Sequence, residues 1–167
     1  RQLESVIVNA REVAEAAARS ALQKRAVDAA EPFPHFTSAD KEQRNRLRAR
    51  GRQAGDVRQP KGTQGIDQLA QELAYEYWHR MLFARFLAEN HLLMHPDGVA
   101  VSLEECEELA PTADPPAANG FALAARFASG MLPRIFRTDD VLLDIEFAPE
   151  QRLALEKLMN SLPKLTF

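Results

Sequence analysis

Tyr75-Glu-Tyr-Trp-His-Arg-Met-Leu-Phe-Ala-Arg-Phe-Leu-Ala-Glu-Asn90 carries the only Trp and both Tyr of the 167-residue chain, together with two arginines. At about 100° per residue, Ile66, Leu73, Tyr77, Met81, Ala84 and Ala88 fall on one face of a helix, and Tyr75, Trp78, Leu82 and Phe86 widen that face sideways. Only Glu72, Glu76, His79 and Arg80 are left as a strip for water. A helix wetted on so little of its surface belongs in the middle of a bundle. The segment is therefore expected to be a buried central helix, starting near Ile66 or Asp67 and ending before the turn His95-Pro-Asp-Gly98.

Outward from this helix the pattern stays helical. Leu3 to Ala29 is rich in Ala, Glu, Gln and Arg, and Leu3, Val6, Ala10, Val13, Ala17 and Ala21 recur at helical spacing, which predicts one long helix with a narrow stripe. Glu31-Pro-Phe-Pro-His-Phe36 interrupts it, because each proline fixes its own backbone and pushes the preceding residue out of the helical region. Thr37 or Ser38 can cap a second helix to about Gln53, followed by a loop from Ala54 to Gly65 whose glycines and proline suggest mobility. Ser102-Leu-Glu-Glu105 has the capping-box pattern for a short helix to Ala110, Thr112 to Gly120 reads as a loop, and Phe121 to Ile135 as a helix. Val141, Leu143, Ile145 and Phe147 alternate with other residues, so one short strand competes there. Pro149 opens a last helix that stops before Pro163. The expected fold is all-α: an irregular helical bundle with a long N-terminal helix, a buried central helix and at most one short strand.

Composition bounds the class. The chain is 46% hydrophobic and 27% charged with net charge −3, ordinary for a globular domain. No apolar run approaches the ~18 residues of a membrane span. Nothing resembles an export signal, and a single Cys cannot staple a secreted fold, so a reducing cytoplasm is expected. A start at Arg1 and an end at Leu165-Thr-Phe167 suggest a piece of a longer chain. The expected organisation is a single helical domain over 1–167, with 1–65 as a helical arm and 66–167 as the helical core. Between Lys41 and Lys61, eight basic residues face only Glu42 and Asp56, whereas Glu104, Glu105, Glu107 and Glu108 crowd one short segment. The arm is basic and the body acidic.

Several residues invite a chemical reading. Arg44, Arg48 and Arg52 form one helical stripe and Arg46 and Arg50 another on nearly the opposite side; with Arg58 and Lys61 they could contact DNA phosphate, or form a solvated charged helix that buries little. Arg85 falls in the arc of Ala74, Trp78 and Met81, with Glu89 one turn on as counter-charge; a buried structural pair or interdomain bridge is the natural account, a substrate-binding arginine the alternative. His91 and His95 have ligand-pair spacing, and His79 precedes them, but no Cys or Glu at matching spacing completes a metal site, so none is expected. Cys106 lies among four glutamates whose charge should raise its thiol pKa, which suits packing rather than attack. Asp139-Asp140 lack a partner base or nucleophile. A phosphate loop, a cofactor-binding glycine turn and a catalytic triad are all missing from the sequence, so no catalytic, cofactor-binding or metal residue is assigned.

The run Leu73-Ala-Tyr-Glu-Tyr-Trp-His-Arg-Met-Leu-Phe-Ala-Arg-Phe-Leu-Ala-Glu-Asn-His-Leu-Leu93 resembles a helix in the N-terminal region of large bacterial adenine-specific DNA methyltransferases, the type IIG-like restriction-modification enzymes and their relatives in the phage-defence systems BREX and DISARM. Tyr75, Trp78, Arg80, Arg85, Phe86, Glu89 and Asn90 carry the pattern, and Ser102 to Leu109 and Ala124 to Phe136 look like its continuation. The resemblance covers about half to two-thirds of the chain. It implies an S-adenosylmethionine-dependent parent enzyme that flips adenine out of duplex DNA. Neither the Asn-Pro-Pro-Tyr-type loop nor the glycine-rich cofactor motif of that family occurs between Arg1 and Phe167, so no catalytic residue carries over. The resemblance implies a non-catalytic helical domain bracing a C-terminal methyltransferase core in the bacterial cytoplasm, with duplex DNA and defence-system proteins as partners. The rival expectation is a helical protein–protein interaction module with no role in DNA modification.

Overall fold

The computed structural model describes residues 2–164. Among these residues the fold is all-α, with six α-helices and no strand. They are α1 (Gln2–Lys24), α2 (Ser38–Ala54), α3 (Asp67–Glu89), α4 (Leu103–Leu109), α5 (Gly120–Met131) and α6 (Pro149–Asn160), with 3-10 turns at Ala110–Thr112 and Val141–Asp144. No helix among the described residues is long and apolar enough to cross a membrane.

Local chemistry sets most of the boundaries. Thr37 and Ser102 each form a full capping box, with Asp40 and Glu105 reaching back to the cap backbone, which satisfies donors that a helix start otherwise leaves open. Pro149 takes a first-turn position of α6. α1 stops at Lys24, short of Ala29, because Ala26 adopts a left-handed φ of 53° and the amides of Arg25 and Val27 both fold back onto Leu22 O. That break frees the carbonyls of the 26–30 segment for other partners.

Two cores lie along α3. The first joins Leu69, Leu73, Ala74 and Met81 of α3 to Ala10, Ala14, Ala17 and Ala21 of α1, Leu47 of α2, Ile145, Phe147, and Leu155 and Met159 of α6. The narrow alanine stripe lets α1 approach closely, and Arg19 pairs with Asp67 at 2.7 Å, so α1 runs antiparallel to α3. Segment 1–65, which charge marks off as an arm, thus shares this core. The second core joins Ala84, Leu87 and Ala88 to Cys106 of α4, Leu123, Ala124 and Ala128 of α5, and Phe136. Here α5 begins directly against α4: a Cβ on Gly120 would stand 2.8 Å from Glu107 N, so only glycine fits.

Three expectations need correction. Val141 to Phe147 forms no strand; a 3-10 turn capped by Asp140 carries its first half, since no neighbouring strand exists among the described residues to complete a ladder. Trp78 is half-buried on the flank of the first core rather than enclosed. The strip Glu72, Glu76, His79 and Arg80 is also half-buried, and Tyr75 is the more exposed residue at 49%. The cause is coverage from both sides. Glu72 meets Arg50 of α2, and Arg80 lies 5.2 Å over the Phe136 ring while donating to Ser129 Oγ and Arg137 O.

Candidate functional site

The arginine series on α2 divides by role. Arg44 and Arg48 are each only 6% exposed, which corrects the expectation that this helix buries little. Arg44 donates from Nε to Ala26 O (2.7 Å) and from Nη2 to Ala29 O (2.7 Å) and Ala30 O (3.2 Å). Arg48 donates to Ala29 O and, at 2.6 Å, to Gly62 O. A guanidinium offers five donors in a rigid fork, so two arginines can gather the carbonyls that the end of α1 releases. Burial lowers the pKa of both, and Arg58 nearby lowers each further, against Glu31 beside Arg44 and Asp28 beside Arg48. Arg50 bridges Glu72 (3.0 Å) and Asp140 (3.4 Å), tying α2 to α3 and to the 3-10 turn. Arg52 is exposed and donates to Gln64 Oε1 at 3.0 Å. Arg46, Arg58 and Lys61 are exposed and make no ion pair among the described residues.

The loop after α2 is pinned. Residues 57–65 form a tight hairpin in which Gln59 N donates to Thr63 O (2.7 Å), Gly62 N to Gln59 O (2.9 Å) and Gly65 N to Val57 O (3.0 Å). Pro60 presets the turn, and Gly62 supplies its left-handed φ of 98°, the pattern of a three-residue hairpin loop. Gln64 is 4% exposed; its amide donates to Asp28 O and its side chain to Arg48 O, both at 3.0 Å. Asp56, 8% exposed, accepts from Gln68 N (2.9 Å) and Leu69 N (3.0 Å). It caps α3 from outside the helix, where Ile66 offers no side-chain cap. The mobility expected of this loop gives way to a firm base that presents Arg58 and Lys61. Asp56 and Gln64 carry no local sequence signal for these roles, because their partners lie on other elements.

Arg85 forms the second buried guanidinium centre. It is 6% exposed, pairs with Glu89 at 2.7 Å, and donates to Met159 O and, at 2.7 Å, to Leu162 O. The Glu89 partnership follows from helical spacing. The carbonyls at the end of α6 were not foreseeable, and they make Arg85 a clamp between α3 and α6. Its fork is filled by protein acceptors, which is the geometry of a structural pair.

Cys106, His79, His95, Asp139 and Asp140 are taken up by the fold. Cys106 is fully buried; burial first, then Glu105 and Glu107, push its thiol up to about 11, so burial outweighs the glutamates that the sequence points to. His79 stacks on Tyr75 at 4.9 Å, and His95 sits 3.2 Å from Asp97. Among the described residues no three His, Cys, Asp or Glu side chains group as metal ligands. Asp139 pairs with Arg137, and Asp140 accepts from Leu142 N. A cleft of about 240 Å³ between α3, α5 and α6 has an apolar floor of Leu73, Met81 and Phe121, with Glu76, Arg80, Glu146 and Arg152 on its rim. Two charges of each sign there select no ligand class. Compared with known protein families, with curated proteins and with solved structures, the chain gives no match.

Proposed function

We propose that this chain is a non-catalytic helical N-terminal domain of an adenine-specific, S-adenosylmethionine-dependent bacterial DNA methyltransferase, bracing the catalytic core of the parent enzyme in the cytoplasm. The reading is carried by the Leu73 to Leu93 run, whose pattern resembles that family and whose residues form the helix shared by both cores. Phosphate contact, on this reading, falls to Arg46, Arg52, Arg58 and Lys61, since Arg44, Arg48 and Arg50 spend their donors inside the domain. Exposed cations on a pinned hairpin displace counterions with little ordering cost. Phage-defence proteins are the further partners in this reading.

The test is methyl transfer from labelled S-adenosylmethionine to duplex DNA, run with the product of the complete open reading frame and with residues 1–167 alone. Labelled N6-methyladenine from the former and none from the latter is expected. No transfer by the complete product, together with a reading frame that encodes no Asn-Pro-Pro-Tyr-type loop, would overturn the proposal and leave the interaction-module reading. For the DNA interaction, Arg58→Ala/Lys61→Ala should weaken duplex binding and flatten its salt dependence, the slope falling by roughly one for each phosphate no longer neutralised.

A further inference from the structure

At the far end of the molecule from the arginine series, a trough of about 750 Å³ runs between the 94–98 turn, the end of α4 and α5. Its floor is Met94, Leu109, Leu123, Phe127 and Met131. Leu109 and Met131 remain 39% and 37% exposed, although both are large and apolar. Met94 N donates to Met131 Sδ at 3.3 Å, so the Met131 thioether lies against the Met94 backbone, and the two flexible methionines of the lining make a surface that adapts to an inserted side chain. Leu123, Phe127 and Met131 recur every four residues along α5 and line about 12 Å of wall, the length of two helical turns.

The chain around this trough is predominantly acidic. Between residues 90 and 125 the chain holds Asp97, Glu104, Glu105, Glu107, Glu108 and Asp114 and no Lys or Arg. Asp114 lines the trough itself. Asp97, on the opposite lip, has His95 as its only ion-pair partner among the described residues. Arg126, the one cation in the lining, is turned to Pro115 O. An apolar floor spaced for helical anchors, between acidic lips, is complementary to a helix with apolar residues on one face and lysines or arginines beside them.

We infer that this trough is a docking surface for a basic amphipathic helix of a partner protein. The inference is independent of the methyltransferase reading, because it rests on the α4–α5 end and not on the arginines or the Leu73 to Leu93 pattern.

Two labelled synthetic helices of about five turns, with the same Leu/Phe face but flanked by Lys in one and Glu in the other, test it by fluorescence anisotropy against the chain. The Lys helix should bind at least about tenfold more tightly than the Glu helix, and less tightly as salt rises. Met131→Lys and Leu109→Lys, both at exposed positions, should each lower that affinity by about tenfold while circular dichroism stays unchanged, and Asp97→Lys/Asp114→Lys should remove the preference for the Lys helix. Lys24→Glu, at the exposed end of α1, serves as the control without effect. Equal binding of both helices, no binding of either, or binding untouched by Met131→Lys would overturn the inference. So would a concentration-dependent dimer that Met131→Lys dissolves, which would put a second copy of this chain in the trough.

Discussion

The arginine-rich α2 and the apolar α3 both bury guanidinium groups, and they do so under opposite electrostatic conditions. Arg85 sits in an apolar helix with Glu89 as a counter-charge at 2.7 Å and adds the terminal carbonyls of α6. Arg44 and Arg48 sit in a polar helix, make no ion pair among the described residues, and take up backbone carbonyls of the 26–30 and 60s segments instead. The difference shows that a buried arginine needs a complete set of acceptors more than it needs a carboxylate. On Arg44 and Arg48, burial first and neighbouring guanidinium groups with it lower the pKa. The α2 pair remains charged all the same, since the ordinary guanidinium value lies so far above neutrality.

The largest expected effect is at the paired centre. Arg85→Ala removes the counter-charge that Glu89 packs against and opens the α6 carbonyls, and should cost about 3–5 kcal/mol in urea melts. Arg85→Met should recover little of this, because its thioether gives the carbonyls no donor; near-full recovery would reduce Arg85 to packing and end the comparison. At the carboxylate-free centre, Arg48→Ala should cost about 2–3 kcal/mol by orphaning Gly62 O and leaving Ala29 O to Arg44 alone. Arg52→Ala, at an exposed position with a single bond to Gln64, should cost under about 0.5 kcal/mol. Equal losses for the two arginines would refute the division of labour along α2.

Smaller effects sharpen the same contrast. Asp56 joins the two regions by capping α3 from the arginine side, so Asp56→Ala should cost about 1–2 kcal/mol. Amide exchange should rise at Gln68 and Leu69 in that variant, and unchanged protection at both would remove the cap from the account. The smallest effect is at the start of α2, where the bonds from Thr37 N and Oγ1 hold the Asp40 carboxyl below its ordinary range. A depressed carboxylate contributes stability above its unfolded value and loses it as pH falls through the folded one. The melting-temperature gap between wild type and Thr37→Ala should therefore narrow as the pH drops below the ordinary carboxylate range, leaving in acid only the loss of the bond from Asp40 N to Thr37 Oγ1. A gap of unchanged width in acid would mean that the cap acts through Thr37 alone.

Much of the fold was legible because its determinants are local. Capping boxes at Thr37 and Ser102, the helix start at Pro149 and the apolar breadth of α3 involve residues within one or two turns of each other, and Arg85 with Glu89 is a one-turn pair. The Val141 to Phe147 alternation misled for the complementary reason: period two proposes a strand, but a ladder needs a second strand, and none of the described residues brings one there. Trp78 misled because an arc on a helical wheel tells which side faces inward and not how far the neighbouring helix extends.

By itself, then, the sequence determined six helices, the caps of α2 and α4, an all-α fold and a separation of basic from acidic segments, since periodicity and neighbouring bonds suffice for these. Only the tertiary structure decided that Arg44 and Arg48 are internal, that Asp56 starts α3, and that Arg85 holds the end of α6 through acceptors 74 and 77 residues away. Backbone carbonyls are chemically identical at every position, so which of them a side chain meets is set by how the chain packs and not by the residue that carries them.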